Sequence, residues 1–245
     1  MKSRYDQIGR TYAKRRLPDS RIGAQIEAAL GDARSVLNVG AGAGSYEPIS
    51  LHGIALEPSS VMISQRPATA FPVVRGYAET LPFADQCVDA VMAVMTLHHW
   101  SDVALGLSEL MRVARDTVVI MTFDPGHEGF WLDDYLPSRR TLDQTDMPSL
   151  EIIRDALGSA DIEVVPVPHD CCDGFYGAYW RRPHAYLDPS VRDSISVFSR
   201  LADVDQSLEM LSADLNDGNW HARYGSILEL EVLDVGYRLV IAKVS

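Results

Sequence analysis

The feature that most constrains this chain is an apolar run leading straight into three alternating glycines, Val36-Leu-Asn-Val-Gly-Ala-Gly-Ala-Gly-Ser-Tyr-Glu47. A short apolar run with no polar alternation reads as a strand covered on both faces, the kind found in parallel sheets flanked by helices. Gly40, Gly42 and Gly44 permit positive φ and let a ligand approach the main chain with no Cβ in the way. The pattern reads on into a helix, whose unpaired N–H groups would face the same ligand. Two common phosphate loops do not fit. The dinucleotide fingerprint needs Gly-x-Gly-x-x-Gly, whereas position 45 is Ser, and no Gly-Lys-Ser/Thr follows. Glu57 closes the next apolar run, 17 positions after Gly40. A carboxylate there can accept hydrogen bonds from both hydroxyls of a ribose, so loop and acid together point to a nucleoside.

Five strands fit the first half: Ser35–Val39, Gly53–Glu57, Phe71–Arg75, Val88–Val94 and Thr117–Thr122. Before the last of these, residues 102–113 carry Val103, Leu107, Leu110 and Met111 at helical spacing, with Ser101 placed as the cap. Ile22, Ile26 and Leu30 form another helical stripe behind Asp19 or Ser20. Downstream, residues 162–167 and 237–243 read as two further strands, completing a doubly wound α/β sheet. Residues 169–234 are too long for a simple connection and hold two helices, around Val191–Leu201 and Val204–Leu215. The expectation is one domain of 245 residues. Its core is 20–125, 150–168 and 235–245, and a helical substrate cap is built from 126–149 and 169–234, ahead of the last strand.

Charge and composition narrow the partners. Twenty-two basic against 34 acidic residues give a net charge of -12, which disfavours nucleic acid. No apolar run reaches the roughly 20 residues of a membrane span, and MKSRYDQIGR lacks a secretory apolar core, so the chain reads as cytoplasmic with no membrane partner. Three cysteines, two of them adjacent, imply no disulfide framework. His169-Asp-Cys-Cys-Asp173 offers metal-ligand types, but adjacent ligands cannot converge on one ion, and no metal is expected.

Taken in order, Val36 to Tyr46, Ala55-Leu-Glu-Pro-Ser59, Gly76-Tyr-Ala-Glu-Thr-Leu-Pro-Phe-Ala-Asp85, Val88-Asp-Ala-Val91, Leu97-His-His99 and Glu109-Leu-Met-Arg-Val113 resemble the class I S-adenosylmethionine-dependent methyltransferases. The branch that looks most similar holds the ubiquinone and menaquinone biosynthetic enzymes and many small-molecule methyltransferases. The likeness spans roughly residues 5–122 and fades beyond Asp124. It implies a Rossmann-like, mostly parallel seven-stranded sheet with an antiparallel last strand, and S-adenosyl-L-methionine as cofactor. It further implies cofactor contacts from Gly40, Ala41, Gly42 and Gly44, from Glu57 to the ribose, from Pro58 and Ser59 beside the adenosine, from Ala78 and Glu79 near adenine, and from Thr96 near the methionyl group. Tyr5 and Tyr12 are similar to the branch's N-terminal lid segment. Asn38 stands where the family usually has Asp or Glu, which implies a weaker anchor for the cofactor ammonium.

Methyl transfer from a sulfonium needs alignment and exclusion of water, and a base only if the acceptor carries a proton. His98 and His99, after the fourth strand, and His169, opening the insertion, are the candidates. Phe130-Trp-Leu-Asp-Asp-Tyr135 and Phe175-Tyr-Gly-Ala-Tyr-Trp-Arg-Arg-Pro183 supply aromatics for an acceptor pocket. Trp131, Tyr135, Tyr176 and Tyr179 are its candidate walls, with Asp170 and Arg181 as polar groups. The expected reaction is methylation of a small molecule by in-line displacement, the enzyme being a monomer or a homodimer. A protein or peptide acceptor, or a non-catalytic cofactor-binding regulator, are the alternatives.

Overall fold

The computed structural model describes residues 16–244; Tyr5 and Tyr12 lie outside them. Its main sheet contains β1 (Ser35–Val39), β2 (His52–Leu56), β3 (Val73–Val74), β4 (Val88–Val94), β5 (Ala114–Phe123), β6 (Asp161–Val164) and β9 (Tyr237–Lys243). Their spatial order is β3-β2-β1-β4-β5-β9-β6, all parallel except β9, which runs antiparallel to both neighbours. The last strand is therefore not an edge: it sits between β5 and β6. A small second sheet pairs β7 (Val167–Pro168) with β8 (Val232–Leu233), so the single strand read over 162–167 divides between two sheets.

Successive strand side chains point to opposite faces. Val36, Ala90 and Met92 join the cluster under α1 (Ser20–Leu30), while Leu37, Val91 and Ala93 join the cluster under α3 (Val103–Val113) and α5 (Leu150–Ala156). Both faces are thus covered, as the unalternating runs required. Asp19 caps α1 through its side chain, which accepts from Arg21 N. The cap of α3 is Asp102, accepting from Leu105 N at 2.9 Å, and not Ser101. Ser101 instead gives its N–H and hydroxyl to Glu79.

Two helical expectations fail. No helix follows the glycines: residues 41–51 are turns, and the next helix is the single turn α2 (Ser60–Ile63). Tyr46 takes a left-handed φ of 62°, and Pro48 brings no N–H, so the segment cannot close an i→i−4 ladder. Residues 191–201 form no continuous helix either, only α6 (Pro189–Arg192) and a 3-10 turn at Ser196–Arg200. The other elements beyond β5 are α4 (Pro137–Asp146), α7 (Val204–Asp217) and α8 (Asn219–Tyr224). Leu211 and Leu215 of α7 and Trp220 of α8 belong to the same cluster as the α1 face of the sheet. Among the described residues no helix is long and apolar enough to cross a membrane.

Candidate functional site

A cleft of about 370 Å³ opens where β1 and β4 diverge, at the carboxyl ends of the strands. Connections from the two strands leave there in opposite directions, the switch point at which open α/β sheets bind ligands. The volume lies within the range of small-molecule sites. Gly40, Ala41 and Gly42 form one wall, Glu57 and Pro58 another, and Ala78, Glu79 and Ser101 a third. Asn38, Thr96, His98 and His99 lie along the same cleft.

Each glycine has its own reason. Gly40 has φ +70°, and a Cβ there would lie 2.0 Å from Thr96 Oγ1 and 2.7 Å from its Cβ, so the loop and the segment just after β4 touch through the missing side chain. Gly42 has φ +51° and meets only Met62 Cε, at 3.3 Å. Gly44 does not line the cleft; its φ of +94° and the approach of Ala70 at 3.0 Å place it in the packing behind the loop. Ser59 is likewise behind: fully buried, it caps α2 by accepting from Met62 N.

Glu57 is 5% exposed and holds the loop by accepting from Gly42 N and Ser59 N, one on each oxygen, both at 2.8 Å. The carboxylate lines the cleft, where it can accept from ligand hydroxyls. The backbone fixes the carboxylate before any ligand arrives. Glu79 lines the cleft and ties its side chain to the start of α3, accepting from Ser101 N, Ser101 Oγ and Asp102 N. Burial pushes its carboxyl up, and these hydrogen bonds outweigh that and hold it below the usual range.

Asn38 explains its own departure from an acid. Its Nδ2 donates to Glu47 Oε1 at 3.1 Å, and Glu47 is buried against Arg66 with an N–O distance of 2.6 Å. An Asp at 38 would set two carboxylates against each other. The amide is thereby oriented with Oδ1 away from Glu47, and Oδ1 is buried with no protein partner. A buried unpaired acceptor on a cleft wall is costly unless a ligand donor meets it. Arg66 also donates to Gly42 O and Phe71 O, so this buried pair fastens the loop from behind. Sequence reading missed Glu47 and Arg66; the signal available was an acid three residues past the last glycine and a lone arginine before Pro67.

A second group was also missed. Asp173, 1% exposed, accepts from Arg16 Nε at 2.6 Å and Tyr46 Oη at 2.7 Å, tying the insertion to the segment before α1 and to the glycine loop. Tyr46 and Met95, with φ of 62° and 50°, are left-handed residues on the cleft wall. Such conformations cost about 1–3 kcal/mol each and collect at functional sites.

Beyond His98 lies a smaller cavity of about 80 Å³, whose walls are Phe123, Phe175, Tyr176 and Tyr237, with Arg139 and Asp143 as charged groups. Arg16, Met95 and His98 line both spaces. Of the proposed acceptor residues only Tyr176 lies here. Trp131 is buried edge-to-face against Tyr186 and Trp220 and donates to Trp180 O; Tyr135 donates to Asp214. Tyr179 stacks on Arg182, and Arg181 reaches Leu230 O and Glu231. Asp170 pairs with Arg21 on the surface and His169 with Glu231, outside both spaces. Those aromatics were legible as buried, but the sequence does not distinguish a pocket wall from a packed core.

Comparison with known proteins agrees with this geometry. A methyltransferase domain family model matches residues 37–121. A candidate methyltransferase from an antibiotic biosynthesis pathway of Anabaena variabilis is 34% identical, with a TM-score of 0.81 over 93% of this chain and 98% of its own. The chain belongs to the class I methyltransferases. As a member of that family it takes its methyl group from S-adenosyl-L-methionine. The uncharacterized protein YafE of Escherichia coli is 40% identical over 63 residues; that stretch covers 24% of this chain and 30% of YafE's length. Geranyl diphosphate C-methyltransferase from Streptomyces coelicolor shares the fold at 13% identity, with a TM-score of 0.52 over 92% of this chain and 79% of its own. The cofactor fits what the cleft provides: a bare main chain at Gly40 and Gly42, a fixed carboxylate at Glu57 and an unmet acceptor at Asn38.

Proposed function

We propose that the 370 Å³ cleft holds S-adenosyl-L-methionine, with Glu57 accepting from the ribose hydroxyls, Asn38 Oδ1 accepting from the ammonium, and Ala78, Glu79 and Pro58 flanking the adenosine. Gly40, Ala41, Gly42 and Thr96 lie against the methionyl part. The single observation that carries this reading is the Glu57 carboxylate, buried on the cleft wall and held in place by two loop N–H groups. When bound, the cofactor supplies an electrophilic methyl on a sulfonium that loses its charge as the methyl leaves.

The acceptor is a small molecule that reaches the methyl from the side of the second cavity, over Met95 and His98. What supports this is the cavity's size, about 80 Å³, and its position next to the cleft behind a shared wall of three residues. A protein segment or nucleic acid strand would need a broad groove. His98, on the 3-10 turn Leu97–His99 after β4, is the group placed to receive a proton from the acceptor. The His99 ring lies against it, tilted by 53° with ring centroids 3.8 Å apart. The segments 126–149 and 169–234 form the acceptor-side cap, and motif order favours the quinone-biosynthetic branch. The antibiotic-pathway assignment of the Anabaena relative, 34% identical over nearly the whole chain, also favours a small acceptor. A cytoplasmic location suits this cofactor.

The test is incubation with methyl-labelled cofactor and a fractionated small-molecule extract, with protein and nucleic acid fractions in parallel. Label in the small-molecule fraction, lost in Glu57→Ala, is the expected result. Label only in protein, or tight cofactor binding without transfer to any fraction, would overturn the small-acceptor reading.

A further inference from the structure

The small cavity carries more charge than packing requires. Arg139, 4% exposed, lies between two aromatic rings, its guanidinium carbon 4.6 Å from the Phe123 centroid and 4.2 Å from that of Tyr176. Its charge is matched by Asp133, which accepts from Nη1 at 2.6 Å. Asp133 also accepts from Tyr176 Oη at 3.2 Å, which completes a satisfied structural pair. Asp143, one turn along α4, adds a second buried carboxylate. Only its Oδ2 takes the contacts from Arg139 Nε and Nη2, while Asp143 itself stands on the cavity wall. The site therefore has one acid in excess of its base, facing a space walled by four aromatic rings.

The two cations on this cavity are already committed. Arg16 pairs with Asp173, and Arg139 is held by its two carboxylates. With both cations paired, the surplus Asp143 carboxylate gives the wall an acceptor, and a ligand end that donates fits it. The cavity is about half the 150 Å³ that admits a benzene molecule in an engineered site, so it takes the end of a ligand and not a whole bulky one. An acceptor end that enters past His98 and Met95 leaves the rest of the molecule at the junction with the cleft.

We propose that Asp143 is the specificity residue of the acceptor site, selecting molecules whose inserted end is a hydroxyl or amino group on an aromatic or short apolar body. This rests on the reading that the acceptor enters through the second cavity. A methyl-capped or purely hydrocarbon end would leave the buried carboxylate without a donor and be rejected, because a site built for a donor discriminates strongly against its absence. Burial pushes the Asp143 carboxyl up to about 6, against the pull of Arg139; Asp133 raises it further and Arg200 lowers it. Arg139 shares its helix, Asp133 comes from the turn Trp131–Asp134, and Arg200 from the turn Ser196–Arg200. Tyr176, Tyr237, His98 and Arg16 complete the titratable groups on the cavity. As pH falls through about 6 the acceptor becomes a carboxylic acid, and selection for donors weakens.

The experiment is ligand-observed NMR on the full chain with phenol, aniline, toluene and anisole as probes, after a separate calorimetric titration with S-adenosylhomocysteine. At pH 8 phenol and aniline should bind at least about tenfold more tightly than toluene and anisole. The phenol-to-anisole gap should narrow at pH 5 in the wild type. In Asp143→Ala the gap should vanish. Asp143→Asn, which keeps an acceptor and the shape, should retain a gap that no longer depends on pH, and it decides the matter if the alanine variant does not fold. Toluene binding as well as phenol, a gap that survives in Asp143→Ala, or pH dependence that survives in Asp143→Asn would overturn the assignment. Failure of the calorimetric titration would instead remove the cofactor reading.

Discussion

Replacing Gly40 with Ala tests the glycine loop at its tightest point. The new Cβ would lie 2.0 Å from Thr96 Oγ1, 2.7 Å from its Cβ and 2.9 Å from its Cγ2, all closer than atoms can approach. Holding Ala at φ +70° costs about 1–2 kcal/mol, and forcing the loop and the segment just after β4 apart costs about 1–3 kcal/mol more. The expected destabilisation is about 2–5 kcal/mol, which for a chain of this size lowers Tm by roughly 5–15 °C. Gly42→Ala is the control: its Cβ meets only the flexible end of Met62, so the cost is about 1 kcal/mol of backbone strain. Urea unfolding of both variants, and of Gly40→Ala combined with Thr96→Ala, measures the contact. Removal of Oγ1 and Cγ2 should recover about 1 kcal/mol or more as a coupling energy. Strictly additive effects, or equal losses for the two glycines, would refute the claim that position 40 is bare because Thr96 occupies the space.

Three further outcomes follow from the residues around the cleft. Asn38→Asp should destabilise by about 1–3 kcal/mol, since it sets a carboxylate against buried Glu47 in place of an amide donor 3.1 Å away; chemical unfolding measures it, and a gain in stability would contradict the arrangement. Asp173→Ala removes the partner of Arg16 and Tyr46 together, and a loss of about 2–4 kcal/mol with weaker cofactor binding is expected from unfolding and calorimetry. Glu79 has a native pKa lowered by its bonds to the start of α3, so its contribution is present above the ordinary carboxylate range and lost as pH falls through the native value. The stability gap between wild type and Glu79→Gln should therefore shrink in acid, and a gap constant with pH would contradict that origin.

The sheet was legible because its central strands are covered on both faces and so are written as mostly apolar runs. Val88–Val94 and Tyr237–Lys243 match the reading residue for residue. The cofactor was legible because the family's motifs stand in order along residues 37–121, and the roles proposed for Gly40, Gly42 and Glu57 rest on local spacing. What could not be read depends on contacts distant in sequence. Asp173 finds Tyr46 across 127 residues, and Arg139 was never marked as a site residue because its aromatic neighbours, Phe123 and Tyr176, come from two separate segments. The helix expected after the glycines failed on Tyr46 and Pro48, where a left-handed backbone and a missing N–H override the usual order of strand, loop and helix. Trp131 and Tyr135 carried the right composition for a pocket and went into packing, because apolar pocket walls and cores draw on the same residues.

The most direct measurement is an isothermal titration of the purified chain with S-adenosylhomocysteine, repeated on Glu57→Ala. Saturable one-to-one binding, weakened about tenfold or more in the variant while Gly42 N and Ser59 N lose their acceptor, is the expected result. Undiminished affinity in a folded Glu57→Ala chain, or no heat of binding in the wild type, would contradict the account of the cleft.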